Sequence, residues 1–363
     1  MENKRNTEID ILKGIAIILM VLGHAHFPAN KFIHLFHMAV FFIASGYFYK
    51  SKYSADIKSL KNFAIKKIKT LYIPFVVYNI VFLICNNLFY KYNIINMESN
   101  DVLYTDILSY IKSIFLILSF HGAQTLGGAT WFLQCLFGIT ISYCLIDFII
   151  NKVIKSGKAN LYIQAIIAII FSFIGFVCNI KNINLYGLER IFSCYILYWI
   201  GILVKNIKYE NNFKYATVKI VISFIVLLII NNMGYIALSE NYYTNPIFLI
   251  IASVTGWIFL YNISYVLNIN TYLRKIFSYI GENSMAILIL HLLSFKIVNI
   301  YAIKIYNLPI VKLAKFPILM EGEYWWILYG IVGIILPLGL KALKNNIKKI
   351  GAKKIEKSSN INN

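Results

Sequence analysis

The sequence predicts an all-α polytopic membrane protein with about ten transmembrane helices and both termini in the cytoplasm. Three observations carry that expectation. First, the 363 residues are 59% hydrophobic and 16% aromatic, yet only 14% are charged, against roughly 25% in soluble proteins. Second, the apolar residues fall into ten continuous stretches near the ~20 residues that an α-helix needs to cross a bilayer. Third, the 35 Lys and Arg residues, which outnumber 15 Asp and Glu for a net charge of +20, sit in blocks between those stretches. Two soluble domains would need far more surface charge, and so apolar a chain is not disordered. The runs are continuous rather than alternating, which excludes a β-barrel. The basic residues form no single face, so no nucleic-acid partner is implied.

The stretches lie near 9–26, 32–49, 71–90, 131–150, 161–178, 190–204, 218–237, 246–267, 284–302 and 324–340. A short connection makes the first two an antiparallel hairpin. The first also resembles a signal peptide in its basic start and short apolar run, but no clean cleavage site follows, so it reads as a retained span. Pro74 and Pro246 fall in or before first turns, where a missing N–H costs little. Pro337 lies inside the last stretch and should kink or end it. The segment 106–120 is apolar but short and is interrupted by Ser109, Lys112 and Ser113, as in an interfacial or re-entrant helix. The chain thus divides into a membrane-embedded domain, 1–340, and a basic, partly disordered cytoplasmic tail, 341–363.

Basic residues set the orientation. With the N-terminus inside, 26 of the Lys and Arg residues fall on the cytoplasmic side and nine outside, as the positive-inside rule requires. The net charge is therefore mainly a topological signal. The five cysteines (Cys85, Cys135, Cys144, Cys178, Cys194) lie in or beside apolar runs without a C-x-x-C pair, and behave as small hydrophobic residues.

Polar residues inside spans are the candidates for function, because burying them in lipid is costly. Asp10 precedes Lys13 by three residues, close enough to pair on a helix. His24 follows Lys13 by 11 residues, or three turns, so the two share a face. That stripe must face the bundle interior or a wet cavity, or Asp10 and Lys13 snorkel to the cytoplasm. His24, His26, His34 and His37 gather at the outer end of the hairpin, and His291 lies within the ninth span. The H-x-H and H-x-x-H spacings have no accompanying carboxylate or cysteine, so the cluster reads as a proton-transfer site and no metal is expected. His26 and His34 are expected to hydrogen-bond at the membrane interface.

The segments DILKGIAIILMVLGH and FHMAVFFIASGYFY, followed by KKIKTLYIPF, GATWFLQCLF and NSMAILILH, resemble the acyltransferase-3 family of integral-membrane acyltransferases. The lysine-rich opening is similar to the branch related to fucose 4-O-acetylase. The family opens with a basic residue, ten residues and a histidine, the places of Lys13 and His24 here. Many members have arginine at the first place; lysine keeps the charge but loses the planar fork. The resemblance, over about residues 6–340, implies transfer of an acyl group, usually acetyl, from cytoplasmic acyl-CoA to a carbohydrate hydroxyl at the cell surface or on a lipid-linked sugar.

On that reading His24 is the general base, with Lys13 and Asp10 beside it. His37, His291 and Trp131 line the same cavity, and Lys66, Lys67 and Lys69 hold the CoA phosphates or simply anchor the cytoplasmic face. Ser45 and Gly46 are expected to permit close helix packing. The expected location is a bacterial plasma membrane, with lipid around the bundle. A glycan-precursor transporter or flippase, or a silent scaffold in glycan assembly, fits the spans as well. Coupled transporters, however, rely on membrane carboxylates or repeated half-helices. Here only Asp10 and Asp147 lie within spans, and no repeat is visible.

Overall fold

The computed structural model describes residues 6–154, 156–207, 212–322 and 324–359, with side chains to 347. Lys4, Arg5, Lys155 and Lys208 of the charge tally, and residues 360–363 of the tail, lie outside the described residues. The described chain is helical apart from a two-stranded hairpin that pairs Ile236–Ala237 with Tyr242–Tyr243. The helices are α1 (Thr7–His24), α2 (Asn30–His34), α3 (Ala39–Tyr47), α4 (Ile57–Lys67), α5 (Ile73–Lys91), α6 (Ile107–Leu118) and α7 (Trp131–Val153). They continue as α8 (Gly157–Ile180), α9 (Leu188–Lys205), α10 (Phe213–Met233), α11 (Pro246–Ile269), α12 (Thr271–Glu282), α13 (Ser284–Tyr306) and α14 (Trp325–Ser359).

Short polar residues begin many of these helices, because their side chains satisfy first-turn N–H groups that have no partner within the helix. Asn6 accepts from Ile9 N, Asp56 from Ser59 N, Asp106 from Ser109 N and Asn245 from Phe248 N. The Ser109 N–H holds the exposed Asp106 carboxyl below the usual carboxylate range.

Among the described residues, seven helical segments are long and apolar enough to cross a membrane: Ile57–Lys91, Thr125–Val153, Gly157–Ile180, Phe213–Met233, Pro246–Ile269, Ser284–Tyr306 and Trp325–Ile347. The protein is a multi-spanning, all-α membrane protein. Its surface is far more apolar than that of a soluble bundle, around a core that is itself hydrophobic. Ile166, Ile169, Ile170 and Phe173 of α8, and Val221, Ile222, Ile225 and Ile229 of α10, point outward, while Asn79, Gln164, Ser253 and Asn299 are buried. Lipid is the solvent that accepts such a surface.

The other three expected spans fall on α1, α2–α3 and α9. α1 carries Glu8, Asp10 and Lys13, and α9 carries Glu189, Arg190 and Lys205. The stretch 32–49, expected as one helix, is instead broken between α2 and α3. Ile33 O accepts from both the backbone N (3.1 Å) and the ring Nδ1 (2.8 Å) of His37. A side chain thus competes for a helix carbonyl at the break. α6, with 12 residues, is about 18 Å long and too short to span.

Between α4 and α5 the chain widens into a π-helical turn, Ile68–Tyr72. Pro74 follows it; the looser turn accommodates a ring that would clash with the carbonyl four residues back. α14 runs through Pro337 and beyond, so the composition change at residue 340 falls inside a helix that the proline does not end.

α1 lies centrally, against α2, α3 and α11–α14, with α12 its main neighbour. A Cβ on Gly14 would strike the backbone carbonyl of Phe277, and one on Gly281 would strike that of Asp10. Backbone meets backbone there, as small residues allow in membranes. Gly46 and Gly201 join α3 to α9 in the same way, against the carbonyls of Tyr198 and Ile43.

Candidate active site

Two cavities lie along α1, one near each end of its polar stripe. Lys13 and His24, three turns apart, are separated by about 16 Å along the helix axis. The cavity at the Lys13 end encloses about 290 Å³. Lys13, Ser45, Tyr49, Lys66 and Lys67 line it among apolar walls that include Ile17, Phe41 and Phe132. Ser45, expected at a helix contact with Gly46, lines this cavity, while Gly46 packs against the Tyr198 carbonyl. Lys13 Nζ donates to Asp10 Oδ1 at 3.3 Å and lies 5.3 Å from the Phe48 ring centroid. Lys67 Nζ lies 5.2 Å from the Phe63 ring. Aromatic faces thus stabilise two ammonium groups in an apolar setting. Lys69 is exposed and does not line this cavity; it lies in the π turn, where the rotation per residue departs from the α-helical value.

The wall below Tyr49 is fastened by Asp147. Its carboxylate accepts from Tyr49 OH (2.6 Å), Ser54 Oγ (2.5 Å) and Asn160 Nδ2 (2.7 Å). Lys205 Nζ donates to the Tyr49 carbonyl at 2.7 Å. Three donors on one buried carboxylate make a satisfied structural centre, tying α7 and α8 to the segment after α3.

The cavity at the His24 end is smaller, about 50 Å³, and is lined by His24, His34, His37, Trp131 and Ser239, with Met20 and Ala129. Met38 and Leu288 line both cavities and form the septum between them. The His34 and His37 rings are 5.0 Å apart, and the His24 and His291 rings 5.1 Å.

His291 is fully buried and sits beside His24 rather than on the cavity wall. Its Nδ1 contacts the carbonyls of Ile287 (2.9 Å) and Leu288 (3.0 Å). A carbonyl can only accept, so Nδ1 carries the proton and Nε2 holds the lone pair. That Nε2 is buried without a hydrogen-bond partner. His37 is fixed in the same tautomer by Ile33 O. Among the described residues no group of three or more His, Cys, Asp or Glu side chains is placed to hold a metal ion.

A family described as an acyltransferase domain matches residues 6–342. The chain belongs to this acyltransferase-3 family. It is accordingly an enzyme, a membrane-embedded acyltransferase of a family linked to acyl-CoA donors and glycan-type acceptors. No curated protein and no solved structure matches the chain. The matched segment contains both cavities and the septum.

Of the residues singled out by sequence, the fold brings Lys13, Asp10, Lys66 and Lys67 to one end of this acyltransferase. It brings His24, His37, His291 and Trp131 to the other. His34, expected at the membrane interface, joins the second group on the cavity wall. His26 stands apart, 3.6 Å from Glu321. Tyr49, Met38 and Leu288 gave no sequence signal, being aromatic or apolar residues in apolar runs. Arg190 did give one: an arginine at the head of an apolar stretch in a chain with only three arginines.

Proposed function

We propose that this acyltransferase moves an acyl group, acetyl in the simplest case, from cytoplasmic acyl-CoA to a hydroxyl of a cell-surface or lipid-linked carbohydrate. It does so in a bacterial plasma membrane, with ten spans and both termini inside. The single observation that carries the reading is the pair of cavities meeting at Met38 and Leu288, one lined by lysines and the other by imidazoles. The Lys13 cavity suits the donor. Its apolar walls take the acyl-pantetheine arm, while Lys66 and Lys67 meet the phosphates at the rim, where a flexible ammonium serves as a point charge. The likeness of the opening motif to the fucose 4-O-acetylase branch supports a carbohydrate acceptor.

His24 serves as general base. It takes the proton of the acceptor hydroxyl as that oxygen attacks the thioester carbonyl carbon where the two cavities meet, beside Met38 and Leu288. The C–S bond breaks, and the proton passes to the departing thiolate, leaving an ester and free CoA thiol. His291 offers its Nε2 lone pair to the charge that develops on His24, and His37 orients the acceptor. Lys13, paired with Asp10, holds the donor, while Trp131 walls the acceptor side and keeps water out.

Purified protein in lipid nanodiscs, given acetyl-CoA and the surface glycan of cells lacking it, should release CoA thiol and form O-acetyl esters visible by mass spectrometry. Glycan carried across vesicles without ester formation would favour a flippase and overturn the reading. The orientation has its own test in a cysteine-free background. Lys58→Cys should stay shielded from an impermeant thiol reagent in intact cells, whereas Lys181→Cys should be labelled. The opposite pattern would invert the topology.

A further inference from the structure

A third cavity, about 390 Å³, opens beyond the histidines, between the loop joining α8 to α9 and the α10–α11 hairpin. Its volume lies within the ~300–1,000 Å³ typical of small-molecule sites. Polar groups predominate in its walls: the amides of Asn179, Asn182 and Asn241, the carboxylates of Glu189 and Glu240, and the Arg190 guanidinium, beside Cys178, Ile183 and Tyr242.

Two contacts join it to the histidine cavity. Ser239 lines both, and the Arg190 guanidinium carbon sits 5.8 Å from the ring of Trp131, which walls the histidine side. The frame is preorganised. Asn241 Oδ1 accepts from Ser193 Oγ at 2.6 Å, and its Nδ2 donates to Gly175 O at 3.0 Å. Glu189 Oε2 accepts from the N–H groups of Leu185 and Gly187, each at 3.0 Å. Arg190 donates to Ser239 O and Gln134 Oε1. Its buried Nε has no hydrogen-bond partner, with Glu189 Oε1 3.6 Å away. The side chains of Asn182 and Glu240 hold no hydrogen bond among the described residues, so donors and acceptors stand ready for a ligand.

The geometry points to this cavity as the subsite for the acceptor's sugar ring, an uncharged pyranoside whose reacting hydroxyl reaches His24 past Ser239 and Trp131. This rests on the acyl-transfer reading above. Vicinal hydroxyls each donate and accept, and so need the mixture of amide, carboxylate and guanidinium found here. A phosphate-rich polymer would meet two carboxylates for one arginine, and an acyl chain would find only the short apolar patch of Cys178, Ile183 and Tyr242 among charged and amide groups. The exposed Tyr242 ring at the rim offers a face for stacking on the pyranose.

The test uses the full-length protein in nanodiscs with acetyl-CoA and methyl pyranosides of glucose, galactose, fucose and N-acetylglucosamine, read by O-acetyl product. Asn182→Ala and Glu240→Gln change side chains that hold no internal hydrogen bond. They should raise the KM for the best pyranoside tenfold or more while the KM for acetyl-CoA stays put; Lys181→Ala, beside the cavity but not lining it, should leave both unchanged. An unaltered pyranoside KM in both cavity variants of an active enzyme would remove the subsite and leave the acyltransferase reading standing. Faster acetylation of glycerol phosphate than of any pyranoside would overturn the sugar class. A wild-type protein that acetylates none of these acceptors would overturn both.

Discussion

The two ends of α1 are built from different materials. At the Lys13 end, ammonium groups on flexible stems surround a cavity of about 290 Å³, and two of them rest on phenylalanine rings. At the His24 end, a cavity of about 50 Å³ is walled by imidazoles, and both His37 and His291 have their tautomers set by backbone carbonyls. The contrast follows the demands of the proposed chemistry. Gripping an anionic donor tolerates soft geometry, because a point charge acts over several ångströms. Moving a proton does not; base and hydroxyl must meet within hydrogen-bond reach, with water excluded.

The largest expected effect is at the rigid end. His24→Ala should lower kcat by about 10²–10⁴-fold, the usual contribution of a general base, with insertion and folding retained. His24→Gln should be as inactive, since an amide hydrogen-bonds but does not carry a proton. Near-wild-type turnover of a well-folded His24→Gln protein would move the base to His37 or His291. Next in size is His291. Asn at this position keeps a donor for the carbonyls of Ile287 and Leu288 but loses the Nε2 lone pair, so His291→Asn should cost about tenfold in kcat, the lower edge of acid–base contributions. His291→Gln, with its polar group further out, should retain more activity. The reverse order would assign His291 to packing alone.

At the soft end, Lys66→Gln with Lys67→Gln should raise the KM for acyl-CoA about tenfold. Each charge-assisted hydrogen bond contributes roughly 1.5–3 kcal/mol, less at an exposed rim. Added salt should weaken donor binding by the wild-type enzyme and affect the double variant less. Lys69→Gln should change nothing. An equal effect from Lys69 would mean that the cluster is a membrane anchor. The smallest effect is expected at the boundary. Met38→Ala should thin the septum and raise acetyl-CoA hydrolysis without acceptor on the order of a few-fold, since the septum excludes water. No increase would show that Met38 does not separate the two chemistries.

Composition and spacing alone establish that the chain is a helical membrane protein. They also place Lys13 and His24 on one face of the first helix, because apolar run length and the 3.6-residue period are local properties. The motifs gave the family as well, over nearly the residues that the match covers. What local periodicity does not encode is which helix stands opposite. His24 and His291 are separated by 267 positions and meet because Gly14 and Gly281 let α12 press against α1, which helps set where α13 begins. Lys66 and Lys67 reach the donor cavity while Lys69 does not, a matter of rotation around the helix entering a π turn. His34 lines the histidine cavity because the chain breaks at His37 and swings α2 toward α1. The polar cavity around Arg190 is assembled from the α8–α9 turn with its flanking helix ends and from the α10–α11 connection some fifty residues later. These are decisions of packing. A side chain's neighbours across a bundle depend on where every helix settles, and only the assembled tertiary structure carries that information.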